Sequence, residues 1–239
     1  MMEQSNVALV LVDFDDTLVD TAPRFQKARR SLFGLLQSIG IDEALAERVH
    51  HEHIDRIMLD RHGLGPARLQ YSFRATYEHL CTELGLQISA ELAEQCAELG
   101  RTVAGPPPLI EGALEALRRL SARFPTAIYT QASDREYQLA CVAAAGVDAV
   151  VGLHRVLVCE RKTRDAFESV LAEFEVEDPS TAWMIGNSMR SDINPALEIG
   201  ARAILVEVDE PWEFDLVDPV SPDYVRVRRF RDAVDYLIG

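Results

Sequence analysis

The sequence predicts an α/β protein, a Rossmann-like parallel sheet with helices on both faces, interrupted by an inserted all-helical block. Three observations carry this prediction. The run Val7-Ala8-Leu9-Val10-Leu11-Val12 is continuously apolar and rich in valine, as a strand buried on both faces is. From about Pro23 to Arg101 such runs are absent, and apolar residues recur at three- and four-residue spacing. Beyond Gly105, short apolar runs alternate with amphipathic stretches, the pattern of parallel strands joined by crossover helices.

The first strand ends at Asp13. In the insert, Leu32, Leu35, Leu36 and Ile39, then Ile54, Ile57 and Met58, lie at helical spacing. With Gly34, Gly63-Leu64-Gly65-Pro66 and Gly85 as punctuation, the block reads as about four amphipathic helices. Gly105-Pro106-Pro107-Pro108 ends it as a linker. A helix from Glu111 to Arg123 precedes a strand, Thr126 to Thr130. A helix from Asp134 to Ala145 follows, stopped by Gly146. The stretch Val147 to Val158 holds apolar runs for one or two strands. Then come a helix over Arg164 to Phe174, a strand over Ala182 to Ile185, and a helix over Ser191 to Ile199 with Ser191 as its N-cap, closed by Gly200. The strand Ala203 to Val206 and a closing helix, Arg229 to Leu237, complete the series. Asp209-Glu210-Pro211-Trp212-Glu213 and the tail to Val220 read as a surface excursion, with Trp212 packing on the core. The expected division is a core domain of residues 1–20 and 105–239 and an inserted helical domain of residues 21–104. Ligands of such sheets bind beyond the carboxyl ends of the strands, so the insert is expected to emerge beside the site.

The 239 residues suffice for one large core, or a core domain with a smaller insert. A formal net charge of −15 repels nucleic-acid backbones and anionic membrane surfaces, so neither is an expected partner. It repels anionic substrates too, so any phosphate site must be locally positive. The 4 cysteines, Cys81, Cys96, Cys141 and Cys159, form no Cys-x-x-Cys pair. Met1 to Asn6 carry no leader signature, so free thiols in a cytoplasmic protein are expected. No apolar run reaches the roughly 20 residues of a membrane span.

The strongest chemical signal is Val12-Asp13-Phe14-Asp15-Asp16-Thr17-Leu18, directly after the first strand. Asp13 and Asp15 are two residues apart and can address one small volume. Two carboxylates that close repel unless a cation lies between them or one holds a proton. Phosphoryl transfer uses both remedies, a divalent metal for the phosphate oxygens and a carboxylic acid for the leaving oxygen. Thr130 ends the next strand; its hydroxyl, with the backbone N–H groups of Gln131 and Ala132, is suited to a phosphate oxygen. Lys162, before a helix, could offset the aspartates and hold phosphate. In Gly186-Asn187-Ser188-Met189-Arg190-Ser191-Asp192, Asn187 and Asp192 offer the hard oxygen ligands that suit Mg²⁺. The same stretch also reads as plain helix capping. Singly these signals are ordinary. Jointly they stand at the carboxyl ends of successive strands.

On these four motifs the chain resembles the haloacid dehalogenase superfamily of hydrolases, in its phosphatase branch. The resemblance covers about Val7 to Leu18 and Leu109 to Val206, while the insert is similar to that superfamily's helical cap by position and helical character. It implies that Asp13 is the nucleophile, forming an aspartyl-phosphate, and that Asp15 protonates the leaving group and then activates water. It implies that Thr130 and Lys162 bind phosphate. It implies that Asp13, the backbone carbonyl of Asp15, and the Asn187/Asp192 pair hold or orient Mg²⁺. Asp16 stands where glycine is common, Thr163 where proline often follows the lysine, and Asn187 where an aspartate usually opens the fourth motif. The implied activity is hydrolysis of a small phosphorylated metabolite. A carbon–halogen hydrolase, a phosphomutase and a catalytically weak regulatory protein are the alternatives, and Asp15 argues against the first. In the insert, His50-His51-Glu52-His53 reads as a polar helix face, and Arg24, Arg61, Arg68 and Arg74 as solvated side chains that could meet an anionic substrate.

Overall fold

The structure is a computed structural model that describes residues 6–209 and 211–239. Residues 1–5, where the sequence shows no leader signature, and Glu210, within the expected excursion, lie outside the described residues.

In chain order the elements are β1 (Leu9–Val12), α1 (Ala22–Ser38), α2 (Glu43–Val49), α3 (Asp55–His62), α4 (Ala67–Glu83), α5 (Ala90–Arg101), α6 (Ala113–Arg123), β2 (Thr126–Gln131), α7 (Arg135–Ala144), α8 (Asp148–Val151), β3 (Val156–Cys159), α9 (Arg164–Glu173), β4 (Ala182–Gly186), α10 (Asn194–Glu198), β5 (Arg202–Val206), β6 (Val225–Val227) and α11 (Phe230–Ile238). They form two compact units. One holds the described residues up to Ala22 and from Pro106 onward; the other is Pro23–Gly105.

The first unit is a six-stranded sheet, order β3-β2-β1-β4-β5-β6, parallel throughout. Each strand alternates its side chains between two apolar layers. Val10 and Val12 join Ile128, Ile185 and Ile204 beneath Leu117, Leu120, Val142 and Val234 of α6, α7 and α11. Leu9 and Leu11 join Ala127, Tyr129 and Met184 on the other face, against Phe167 and Leu171 of α9 and Ala196 of α10. Burial on both faces explains the unbroken apolar run of β1. Val12 lies opposite Ile128 on β2 and Ile185 on β4, so β1 ends between these two strands, with β2 running on to Gln131. The chain moves outward from β1 in one direction through β2 and β3, then in the other through β4 to β6. That reversal opens a crevice at the carboxyl end of β1.

Three elements differ from the sequence prediction. Within Val147 to Val158 only Val156–Cys159 is a strand, and Asp148–Val151 is a helical turn ended by Gly152 at φ 88°. An apolar run this short does not distinguish a strand from a buried helical turn. The helix expected from Ser191 begins earlier. Ser188 is the cap, its hydroxyl accepting from the N–H of Ser191, and Met189–Ile193 forms a π-helical turn before α10. The sixth strand was absent from the sequence reading because Val225-Arg226-Val227 is a three-residue edge with one exposed member.

The second unit is all-helical. α2, a π-helical turn over His50–Ile54, and α3 run on without a break, so the five α-helices make four rods. Leu32, Phe33 and Leu36 of α1 meet Phe73, Tyr77 and Leu80 of α4 in its own core. Gly100 of α5 lies against the backbone of Leu69 and Gln70 in α4, where an added Cβ would fall at 2.5 Å.

Two expectations for this unit are corrected. His50 is not on a polar surface face: it is fully buried, edge-on to Phe33 and Phe73, with Nδ1 3.0 Å from Thr76 Oγ1. The π turn adds a residue to the helical repeat and carries His50 inward. Arg68 is not solvated. It is buried against the Asp55 carboxylate, which also accepts from Ser72 Oγ at 2.6 Å. Among the described residues no helix is long and apolar enough to cross a membrane.

Candidate active site

Asp13 follows β1 directly, its N–H donating to Ile185 O at 2.8 Å. The chain then makes a single turn in which Phe14 O accepts from Leu18 N and Val19 N at 2.9 and 3.2 Å. Phe14 and Leu18 are fully buried. Their burial, about 1.5–3 kcal/mol each, fixes the turn and leaves the intervening polar residues for the crevice. Thr17 Oγ1 lies 3.3 Å from Asp13 Oδ2. Asp16 has φ 56°, a left-handed conformation that suits the glycine common there. Its carboxylate compensates by accepting from the N–H groups of Thr21 and Ala22 at 2.9 and 2.6 Å, where α1 begins. Burial pushes the Asp16 carboxyl up to about 6 against those two bonds.

The centre is a buried triad of charges. Lys162 Nζ donates to Asp13 Oδ1 at 2.5 Å and to Asp192 Oδ1 at 2.6 Å. All three side chains are at least nine-tenths buried. Burial opposes the ammonium, but the two carboxylates outweigh it and hold Lys162 above its ordinary value. Burial raises the Asp13 carboxyl; the Lys162 ammonium pulls against it and Asp192 adds to it. Two carboxylates and one ammonium leave the cluster net negative.

Each partner is held by backbone logic. Asp192 Oδ2 accepts from Ser188 N at 2.9 Å and passes directly over Gly186, where an added Cβ would sit 2.3 Å from it. Glycine is therefore required at 186 by the approach of the carboxylate. Lys162 N donates to the side chain of Gln131 at 3.1 Å, and Ala132 N donates to Cys159 O, which ties the loop after β3 to the end of β2. Gln131, expected to meet phosphate through its N–H, thus also anchors the lysine.

Asp15 turns from the triad. Its Oδ1 accepts from Thr21 Oγ1 at 2.7 Å and its Oδ2 from Gln138 Nε2 at 2.7 Å, and the same Nε2 lies 2.8 Å from Thr130 Oγ1. The sequence reading missed Gln138. Its signal is a polar residue on an otherwise apolar stripe of α7, in line with Cys141, Val142 and Ala145, all buried.

The Asn187 amide points back to β1. One of its terminal atoms lies 3.2 Å from Asp13 Oδ2 and 3.0 Å from Asp15 O. With nitrogen there, the amide donates to both. The segment 211–220 docks on the same loop: Ser188 Oγ donates to Asp215 at 2.7 Å, Arg190 Nε donates to Phe214 O at 2.6 Å, and Asn194 bonds Asp218 O and Val220 N. Trp212, expected on the core, meets the Phe214 ring at 5.0 Å.

Residues 7–200 match the family of haloacid dehalogenase-like hydrolases. The chain belongs to that family. A haloacid dehalogenase-like family hydrolase from Xanthomonas campestris is 25% identical with TM-score 0.77, the match covering 97% of this chain and 96% of that one. The putative HAD-hydrolase YfnB from Bacillus subtilis, bound to magnesium, is 19% identical with TM-score 0.63, over 98% and 99% of the two chains. A 2-haloacid dehalogenase from Pseudomonas syringae pv. Tomato is 22% identical with TM-score 0.55, over 97% and 98%. Other structures sharing the fold are named as phosphatases. No curated protein matches the chain.

The donor set of this hydrolase suits a hard cation. Among the described residues no three His, Cys, Asp or Glu side chains gather as a ready metal site. What gathers instead is one carboxylate oxygen, one backbone carbonyl and one amide. In an octahedron of Mg²⁺–oxygen bonds, neighbouring ligands lie about 2.9 Å apart. The 3.0 and 3.2 Å separations around Asn187 match that spacing if the amide presents its oxygen. Asp192 stands differently, both of its oxygens engaged by Lys162 and Ser188.

Proposed function

We propose that this hydrolase cleaves the phosphate monoester of a small phosphorylated metabolite, with Mg²⁺ bound, through a phosphorylated Asp13. The observation that carries the reading is the placement of Asp15. Its carboxylate shares the Gln138 amide with Thr130, so a second acid stands beside the hydroxyl suited to phosphate. Carbon–halogen hydrolysis needs an aspartate nucleophile but no second carboxylate; phosphate ester cleavage needs one for the leaving oxygen.

Asp13 attacks phosphorus as the ester bond breaks, and protonated Asp15 gives its proton to the leaving oxygen. Water then attacks the phosphorylated Asp13, with the Asp15 carboxylate taking its proton, and inorganic phosphate leaves. Lys162 holds Asp13 in place and offsets charge on the phosphoryl oxygens, while Asp192 orients the lysine. Thr130 and the N–H groups beside it bind a phosphoryl oxygen. Asp13, the Asp15 carbonyl and the Asn187 amide oxygen would hold Mg²⁺, which supplies neutralisation of charge on the transferring group. The Pro23–Gly105 unit serves as the cap that selects the substrate.

The test is hydrolysis of 4-nitrophenyl phosphate and a panel of phosphorylated metabolites with Mg²⁺ or with EDTA. The expected result is turnover that requires the metal and falls at least a hundredfold in Asp13→Asn. Halide release from 2-haloacids without metal would establish the dehalogenase instead; transfer of phosphate between two positions of a sugar, the mutase; and no turnover of any ester, a binding protein.

A further inference from the structure

We infer that Gln138 is a positioning residue for Asp15, holding its carboxyl at a set offset from Thr130. The inference rests on the phosphatase reading and deepens it. Gln138 projects from the first turn of α7, is 5% exposed, and places one nitrogen 2.7 Å from Asp15 Oδ2 and 2.8 Å from Thr130 Oγ1. The orientation of this amide is not arbitrary. Ionised Asp15 can only accept, so the nitrogen must face it. Thr130 Oγ1 can accept from the same group, so the nitrogen serves both.

The partner of Asp15 Oδ1 is the Thr21 hydroxyl, at 2.7 Å. With one oxygen engaged by Thr21 and the other by Gln138, the carboxyl is held against rotation. The same amide sets the acid at a fixed offset from Thr130, the expected phosphate anchor. Distance between phosphate and acid is then set by one buried side chain on a helix, hydrogen-bonded to both Asp15 and Thr130.

The consequence is selective. Proton delivery matters little for a good leaving group and greatly for a poor one. The experiment measures kcat/KM with Mg²⁺ for substituted phenyl phosphates, from 4-nitrophenyl to 4-methoxyphenyl, in the wild type, Gln138→Met, Gln138→Glu and Thr130→Val. Methionine keeps the length and removes the donor; glutamate keeps the length and replaces the donor with an acceptor. In Gln138→Met the 4-nitrophenyl ester should lose no more than about threefold, and the 4-methoxyphenyl ester about thirtyfold or more, within the range general acids contribute. Gln138→Glu should steepen the dependence at least as much. Thr130→Val should lower all esters alike. A Gln138 loss that is equal across the series, or absent, overturns the inference and leaves the phosphatase reading standing. Absence of metal-dependent turnover in the wild type overturns that reading and, with it, this one.

Discussion

Asn187 shows how one atom changes a site. In this chain it stands where the family resemblance leads one to expect aspartate. The amide reaches Asp13 and the Asp15 carbonyl and can hold them by hydrogen bonds when its nitrogen faces them. To ligate a cation it must turn its oxygen inward and give up both bonds. A carboxylate there would add a negative charge and forgo no such bonds. Asn187→Asp is therefore expected to tighten Mg²⁺ binding by about tenfold, roughly 1.4 kcal/mol, in a calorimetric titration. An unchanged affinity would place residue 187 outside the metal's ligands. The residue types at 13, 15, 130, 162, 187 and 192 were legible in the sequence because each lies at or after the carboxyl end of a strand. Their division of labour was not. That Asp192 spends both oxygens on Lys162 and Ser188, and that Gln138 joins Asp15 to Thr130, depends on rotamers set by groups up to 123 residues away in the chain.

At the scale of the element, the π turn at His50–Ile54 is the clearest departure from regular geometry in the helical unit. It buries His50 with Nδ1 on Thr76 and with Nε2 lacking a hydrogen-bond partner among the described residues. Burial pushes the imidazole down to about 3, Asp55 opposing and Arg29 assisting. The folded state thus refuses a proton that the unfolded chain accepts from about pH 6.5 downward. Between those values the unfolded state binds more protons, so stability rises with pH and is lost on acidification. The expected loss for this unit is about 1–2 kcal/mol between pH 6.5 and pH 5, at a limiting slope of roughly 1.4 kcal/mol per pH unit. Asp55, held down to about 2 by Arg68 against the opposing effect of burial, loses its contribution only below this window. Urea melts at the two pH values test this, with His50→Leu expected to flatten the difference. An equal pH dependence in the variant would refute it. The sequence showed three histidines in four positions but not the π turn, because an inserted residue in a helix is a packing outcome, not a local preference.

At the scale of the molecule, a net charge of −15 surrounds the site proposed to take a phosphorylated substrate. The Lys162 ammonium is already shared by two carboxylates, so long-range attraction cannot come from it. Repulsion of a phosphorylated substrate by the overall field should be relieved by salt. Raising ionic strength from about 0.01 M to about 0.15 M shortens the screening length from roughly 30 to 8 Å, and kcat/KM is expected to rise a few-fold. A fall in kcat/KM would mean that a local positive field outweighs the acidic surface. The sequence by itself determined the parallel sheet, its helical layers and the position of the helical insert, because continuous apolar runs and helical periodicity are properties of neighbours in the chain. It also marked the strand ends at which chemistry gathers. Only the tertiary structure decided the strand order that brings β1 between β2 and β4, the inward turn of His50, the Arg68–Asp55 pair and the bridge made by Gln138. These depend on contacts between residues distant in sequence, whose energies no local pattern encodes.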